Sequence, residues 1–192
     1  MYESIWKRVF DIAFSVSLLV ILFIPMVVVA VVIRLTSPGK AIFKQIRYGV
    51  DSKPFEVYKF RTMQQDTPSL SAQVGEEVIS SHMTPVGKVL RELSIDELPQ
   101  IFNILAGQMS FIGPRPLSSA DEITLALRRK NGADRVRPGI TGLAQVNGRN
   151  LLNERTKAKF DAEYADNVSL KEDVRILLKT VKDVFLRTNI YR

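Results

Sequence analysis

"IAFSVSLLVILFIPMVVVAVVI", residues 12–33, carries no charged side chain. As a straight helix at ~1.5 Å per residue it would be roughly 33 Å long, enough to cross the apolar core of a bilayer. It is too long for the apolar part of a cleaved leader, and no small-x-small cleavage site follows it. Pro25 lies near its middle. The ring clashes with the Ile21 carbonyl and removes one backbone hydrogen bond, so a kink is predicted there. Both flanks are basic: Lys7 and Arg8 precede the run, and Arg34, Lys40, Lys44 and Arg47 follow it. Lys and Arg collect on the cytoplasmic side of a membrane segment, so the two ends belong on one side. A helix that enters the membrane, bends at Pro25 and returns satisfies both features. A single kinked span is the alternative, and a buried helix of a soluble domain is a third.

Beyond this segment the totals narrow the chemistry. The chain has 192 residues, with 27 Lys and Arg against 20 Asp and Glu, a net charge of +7. That excess favours anionic partners: nucleic acid, phosphorylated small molecules or a membrane surface. No recognisable nucleic-acid module accompanies it. The absence of cysteine excludes thiolate catalysis, disulfides and Cys-ligated zinc. The one histidine, His82, lies in a Ser-rich stretch with no nucleophile elbow, so it reads as a loop residue. Acid–base and nucleophilic work therefore falls to carboxylates.

The chain reads as two units, 1–40 and 41–192, and as an α+β fold that is mostly helical. "AIFKQIRYG" and "PFEVYKFRTM" are β-rich and flank Gly49, Asp51 and Pro54, which predicts two short strands. Residues 64–85 are polar and turn-rich, a surface loop. Helices are predicted over "PVGKVLREL", with Val86, Val89, Leu90 and Leu93 on one face, from about Ser94 to Gly107, and over 119–130. The last helix, "LKEDVRILLKTVKDVFLR", aligns Leu170, Val174, Leu177, Leu178, Val181 and Phe185. That stripe is read as a core face, with a membrane-surface face as the alternative.

Within the second of these helices, "LSIDELPQIFNIL" places Asp96 beside Glu97. Ser94-x-x-Glu97 has the spacing of a capping box, and Pro99 would also allow Asp96 to be the cap. The functional reading is that a carboxylate in an apolar stretch, ionised at neutral pH with a free pKa near ~4, attacks phosphorus and forms an acyl phosphate. The two readings are compatible, and the residues alone leave both open. A phosphate-handling acid needs cations. Lys59, Arg61 and Arg91 are candidates. Arg115 in "GPRP" is another, its backbone restricted by two prolines; the alternative for it is a turn arginine paired with an acid. "RVRPGITGLAQVNGRN", 135–150, adds glycines whose N–H groups could approach a phosphate. Its alternative is an ordinary hairpin with two tight turns.

In "KRVFD", "YKFRTM", "LSIDELPQIFNIL", "MSFIGPRP" and "RPGITGLAQVNGRN", taken in that order, the chain resembles the small monotopic phosphoglycosyl transferases of bacteria. The resemblance implies transfer of a phosphosugar from a nucleoside diphosphate sugar, usually a UDP-sugar, to polyprenol phosphate, with release of UMP. It implies that Asp96 attacks the β-phosphorus, that Glu97 assists, and that Mg2+ sits at this dyad. Arg115 would bind phosphate, Lys59 and Arg91 would line the site, and Asp173 matches a C-terminal acid of the family. The segment with Arg137, Gln145 and Arg149 falls to nucleotide and phosphate contacts. The family's re-entrant helix agrees with the basic flanks. It implies amphipathic helices at one leaflet of the cytoplasmic membrane, on its cytoplasmic face, and allows a homo-oligomer. One departure is Ile24 before the kink proline, where members often carry serine. The rival is an inactive, membrane-anchored scaffold for lipid or protein partners.

Overall fold

The computed structural model describes residues 2–64, 67, 81–148 and 151–186. A π-helical turn (Tyr2–Trp6) leads into α1 (Lys7–Thr36), a helix with Pro25 inside it. One stripe of α1 is covered: Asp11, Ser15, Met26 and Ile33 are buried. Phe10, Val20, Phe23, Ile24, Val28 and Leu35, on the other faces, are exposed.

β1 (Ile42–Tyr48) and β2 (Pro54–Phe60) form the expected antiparallel hairpin, in register from Ile42 opposite Phe60 to Tyr48 opposite Pro54. α2 (Pro85–Glu92) has the start its sequence calls for. Thr84 accepts from the Gly87 N–H at 2.9 Å, and Pro85 occupies the first turn, where its missing N–H costs nothing. Gly87 is obligatory because a Cβ there would lie 2.0 Å from the Thr62 carbonyl oxygen. Of its expected face, Leu90 is buried and Val86 packs inward, while Val89 and Leu93 are exposed.

α3 (Gln100–Leu105) is preceded by a 3-10 turn at Ile95–Glu97. Ser94, just before it, adopts a left-handed conformation (φ 56°) and makes no side-chain cap bond, so the capping box does not form. β3 (Ser110–Ile112) follows, then α4 (Glu122–Asn131), introduced by Ser119–Asp121 with a capping box between Ser118 and Asp121. The glycine-rich segment 135–150, for which a hairpin is the alternative reading, instead supplies β4 (Gly139–Thr141), which pairs in parallel with β3, Ser110 opposite Gly139. The glycines serve that pairing: a Cβ on Gly139 would sit 2.1 Å from the Gly113 nitrogen. α5 (Leu143–Val146), α6 (Glu154–Asp166) and α7 (Leu170–Phe185) complete the described fold.

Three small cores hold it. Met26, Ile33, Ala41, Phe60 and Leu90 form the first, so α1 and the domain share a core. Val57, Ile104 and Met109 form the second, and Ile112, Leu143, Val146, Tyr164 and Ile176 the third. α7 turns its other side inward from the one expected. Asp173 and Ile176 are buried, and Thr180 bonds Thr141 at 2.7 Å, whereas Leu170, Val174, Leu177, Leu178 and Val181 are exposed. The buried face is mixed in polarity, and the apolar stripe covers nothing in the domain.

Both ends of α1 are tied to the same domain. At its start Arg8 donates to the carbonyls of Ile104 and Leu105 at the C-terminal end of α3. Asp11 accepts from the Ser110 hydroxyl at 3.0 Å and from the Phe111 N–H at 3.2 Å. At its far end the Arg61 guanidinium donates to Ser37 and to the Pro38 carbonyl.

Candidate active site

The dyad sits on the 3-10 turn between α2 and α3. Ile95 and Leu98 pack against the first core and fix the turn. Asn103, fully buried on α3, then locks this segment to β2. Its side chain accepts from the Tyr58 N–H at 3.0 Å and donates to the Glu56 carbonyl at 2.6 Å. That registry brings Lys59 to Glu97, with Nζ 2.7 Å from Oε1. Arg115 reaches the same oxygen at 3.9 Å from the Pro114–Pro116 turn. The sequence reading passed over Asn103; nothing in the sequence distinguishes a core asparagine on β2's flank from a surface one.

Asp96 is 9% exposed, and burial pushes its carboxyl above the ordinary carboxylate range. Lys59 opposes this most strongly, Glu97 reinforces it, and Arg91 and Arg115 oppose it more weakly. Four aspartates are buried among the described residues: Asp11, Asp96, Asp161 and Asp173. Asp11 accepts from Ser110 and Phe111, Asp161 from Arg128, and Asp173 from three donors. Asp96 alone accepts no hydrogen bond among the described residues. It is a desolvated carboxylate in a cationic field with its lone pairs unengaged.

Of the sequence-derived residues, the structure thus gathers Lys59, Arg91, Asp96, Glu97 and Arg115. The others have different partners. Arg61 ties β2 to the end of α1, as described. Arg137 donates to the Gly107 carbonyl at 3.0 Å. Gln145 donates to the Ile140 carbonyl at 3.3 Å, and its Oε1 is buried without a partner. Asp173 accepts from Tyr2 at 2.7 Å, Lys7 at 2.6 Å and Tyr164 at 2.7 Å. Arg149 lies outside the described residues, as does most of the 64–85 loop. His82 sits in a surface turn beside Ser81. Among the described residues no cluster of three or more acids or histidines could hold a metal by itself.

The buried acid with cations around it lies on a domain that shares a core with a long apolar helix. The sequence model of bacterial sugar transferases matches residues 2–187, and the chain belongs to that family as a phosphoglycosyl transferase. The sugar transferase EpsL of Bacillus subtilis is 40% identical over 97% of this chain and 90% of its own length. The UDP-glucose:undecaprenyl-phosphate glucose-1-phosphate transferase of Caulobacter vibrioides is 40% identical over 96% of this chain and 72% of its own. The UDP-N-acetylgalactosamine-undecaprenyl-phosphate N-acetylgalactosaminephosphotransferase of Aeromonas hydrophila is 41% identical over 93% of this chain, which spans 43% of that longer relative.

Proposed function

We propose that the protein moves a phosphosugar from a UDP-sugar to polyprenol phosphate in two displacements at Asp96, as an early membrane step in building a bacterial glycan. In the first, an Asp96 carboxylate oxygen bonds the β-phosphorus. The bond from that phosphorus to the bridging oxygen breaks, and UMP leaves with the electron pair. In the second, an oxygen of polyprenol phosphate bonds the same phosphorus and the Asp96 carboxylate departs. The observation that carries this reading is that Asp96 is the one buried aspartate that accepts no hydrogen bond among the described residues. A carboxylate stripped of water and hydrogen bonds is a stronger nucleophile than a solvated one. Lys59, Arg91 and Arg115 favour its ionised form and lie where the diphosphate charge would be. Glu97, held by Lys59, flanks the reacting centre and is suited to steer the incoming lipid phosphate.

The names of the relatives support the same substrate classes, and they differ in the sugar although their identities to this chain, 40% and 41%, are close. Asp96 and Glu97 also fit magnesium, which binds through one or two carboxylates completed by substrate phosphate. When bound, it would offset the pyrophosphate charge. The ties from both ends of α1 to one domain support a re-entrant anchor, because a spanning helix would part those ends by a bilayer. The exposed apolar faces of α1 and α7 supply surface for lipid to cover. Cytosolic nucleotide sugar places the domain on the cytoplasmic face of the bacterial inner membrane.

The test is intact-protein mass spectrometry after incubation with a panel of UDP-sugars and no lipid acceptor. One donor should add the mass of a sugar phosphate to the parent and none to Asp96→Asn, with UMP release reduced at least about a thousandfold. Parental turnover by Asp96→Asn, or transfer only when both substrates are bound and no adduct forms, refutes it. The cysteine-free chain also makes topology readable. Single cysteines at Ile5 and Lys53 should be labelled from the same side of a sealed vesicle, and labelling from opposite sides would establish a span.

A further inference from the structure

The arginine between the two prolines reaches the dyad from a turn whose backbone is pinned residue by residue. Pro114 and Pro116 have no N–H to offer, so the turn is held through its carbonyls. The Pro114 carbonyl accepts from the Gly139 N–H and the Leu117 carbonyl from the Tyr48 N–H, each at 2.9 Å. Arg47 reaches the Pro116 carbonyl only at 3.5 Å. The carbonyl of Arg115 itself accepts at 2.9 Å from NH1 of Arg128, on the last turn of α4.

Arg128 is 6% exposed and Asp161, on α6, is 1% exposed. Asp161 Oδ2 takes two contacts from the same guanidinium, from Nε at 2.8 Å and from NH2 at 2.6 Å, which leaves NH1 aimed at the turn. A fully buried ion pair is weak evidence of a stabilising device, because desolvation offsets most of its attraction. What this pair does visibly is fix a planar donor at one point, the backbone of Arg115. The Arg115 contact with Glu97 is long, 3.9 Å, so small displacements of the turn change it.

We propose that Arg128 is a positioning residue for the transfer reaction. It sets the reach of Arg115 toward the dyad through the Arg115 carbonyl, and Asp161 holds Arg128 in the orientation that does so. The inference rests on the reaction proposed above. The bland alternative is that the pair only staples α4 to α6, as Asn131 does through the Ala158 carbonyl.

A double-mutant cycle on the full-length protein in lipid nanodiscs separates the two. Arg128→Lys keeps a charge opposite Asp161, but one ammonium cannot also span to the turn. In the parent it should lower kcat/KM for UMP release roughly ten- to a hundredfold, with the fold intact by circular dichroism. In an Arg115→Ala background the same change should cost about twofold or less, because the group it positions is gone. Equal losses in both backgrounds, or no loss in the parent, overturn the proposal. If Arg128→Lys does not fold, Asp161→Asn takes its place with the same expectations. The cycle is repeated on calorimetric affinity for inorganic pyrophosphate. A parent that releases no UMP from any donor refutes the reaction, and the pyrophosphate cycle then decides the role of Arg128.

Discussion

At one corner of the domain Asp173 accepts from Tyr2, Lys7 and Tyr164, all within 2.7 Å. At the other, Asp96 accepts from none of the described residues, although Lys59 lies beside it. Each corner has a buried aspartate and a lysine, yet the lysines are used differently. Lys7 bonds its aspartate directly, whereas Lys59 gives its ammonium to Glu97 and acts on Asp96 through its field. Tyr164 extends the Asp173 corner by donating also to the Ile112 carbonyl on β3. The anchor's first turns, α6, α7 and the small parallel sheet are thus joined through one satisfied polar network, which rigidifies what it joins. The dyad corner is the reverse: a desolvated charge left without hydrogen bonds, tolerated because the packed turn around it allows no escape. Satisfaction marks the joint, and its absence marks the acid proposed as nucleophile.

Cutting the same atoms at the two corners should therefore give opposite results. Asp96→Ala should reduce adduct formation at least about a thousandfold while the protein melts no lower than the parent. Asp173→Ala takes the acceptor from the Lys7 ammonium and the Tyr2 hydroxyl, leaves Tyr164 with the Ile112 carbonyl alone, and should lower the free energy of unfolding by about 2–4 kcal/mol. Its adduct formation per folded molecule should stay within about threefold of the parent. Chemical denaturation and mass spectrometry on the two variants check both. An Asp173→Ala protein of parental stability that forms no adduct would place that acid in phosphate handling and break the contrast.

These corners also show what local pattern can and cannot announce. The uncharged run of α1, the hairpin and the adjacency of Asp96 and Glu97 are short-range features, and they were legible. The capping box was legible and absent: Ser94 takes a left-handed conformation, and its side chain makes no cap bond. The apolar stripe of α7 has the same spacing whether it meets a core or lipid. Its true inner face is set by Asp173, a residue no hydropathy pattern would choose. Arg61 and Arg115 look alike in sequence, yet one clasps the end of α1 and the other reaches Glu97. Their tertiary settings separate them: the hairpin brings Arg61 to Ser37, and the turn after β3 brings Arg115 to Glu97. Arg128 was hidden for a simpler reason. In "RRK" at a helix end it reads as one of three cations that favour the dipole.

The smallest effect tests the contrast most directly. Burial raises the folded-state pKa of Asp96 above its unfolded value, with Lys59 reducing the shift. Between those two values the native state holds the proton more often than the unfolded chain does, so native stability falls as pH rises through the interval and stays lower above it. Asn at position 96 has no such titration. In magnesium-free buffer, Asp96→Asn and the parent should melt together well below pH ~4, where both carry a neutral side chain. By pH 7 the variant should melt higher, and in a Lys59→Met background its advantage should widen, because the chief counter-charge has been removed. Should Asp96→Asn melt lower than the parent at pH 7, the ionised carboxylate is stabilised where it stands, and the two corners are built alike.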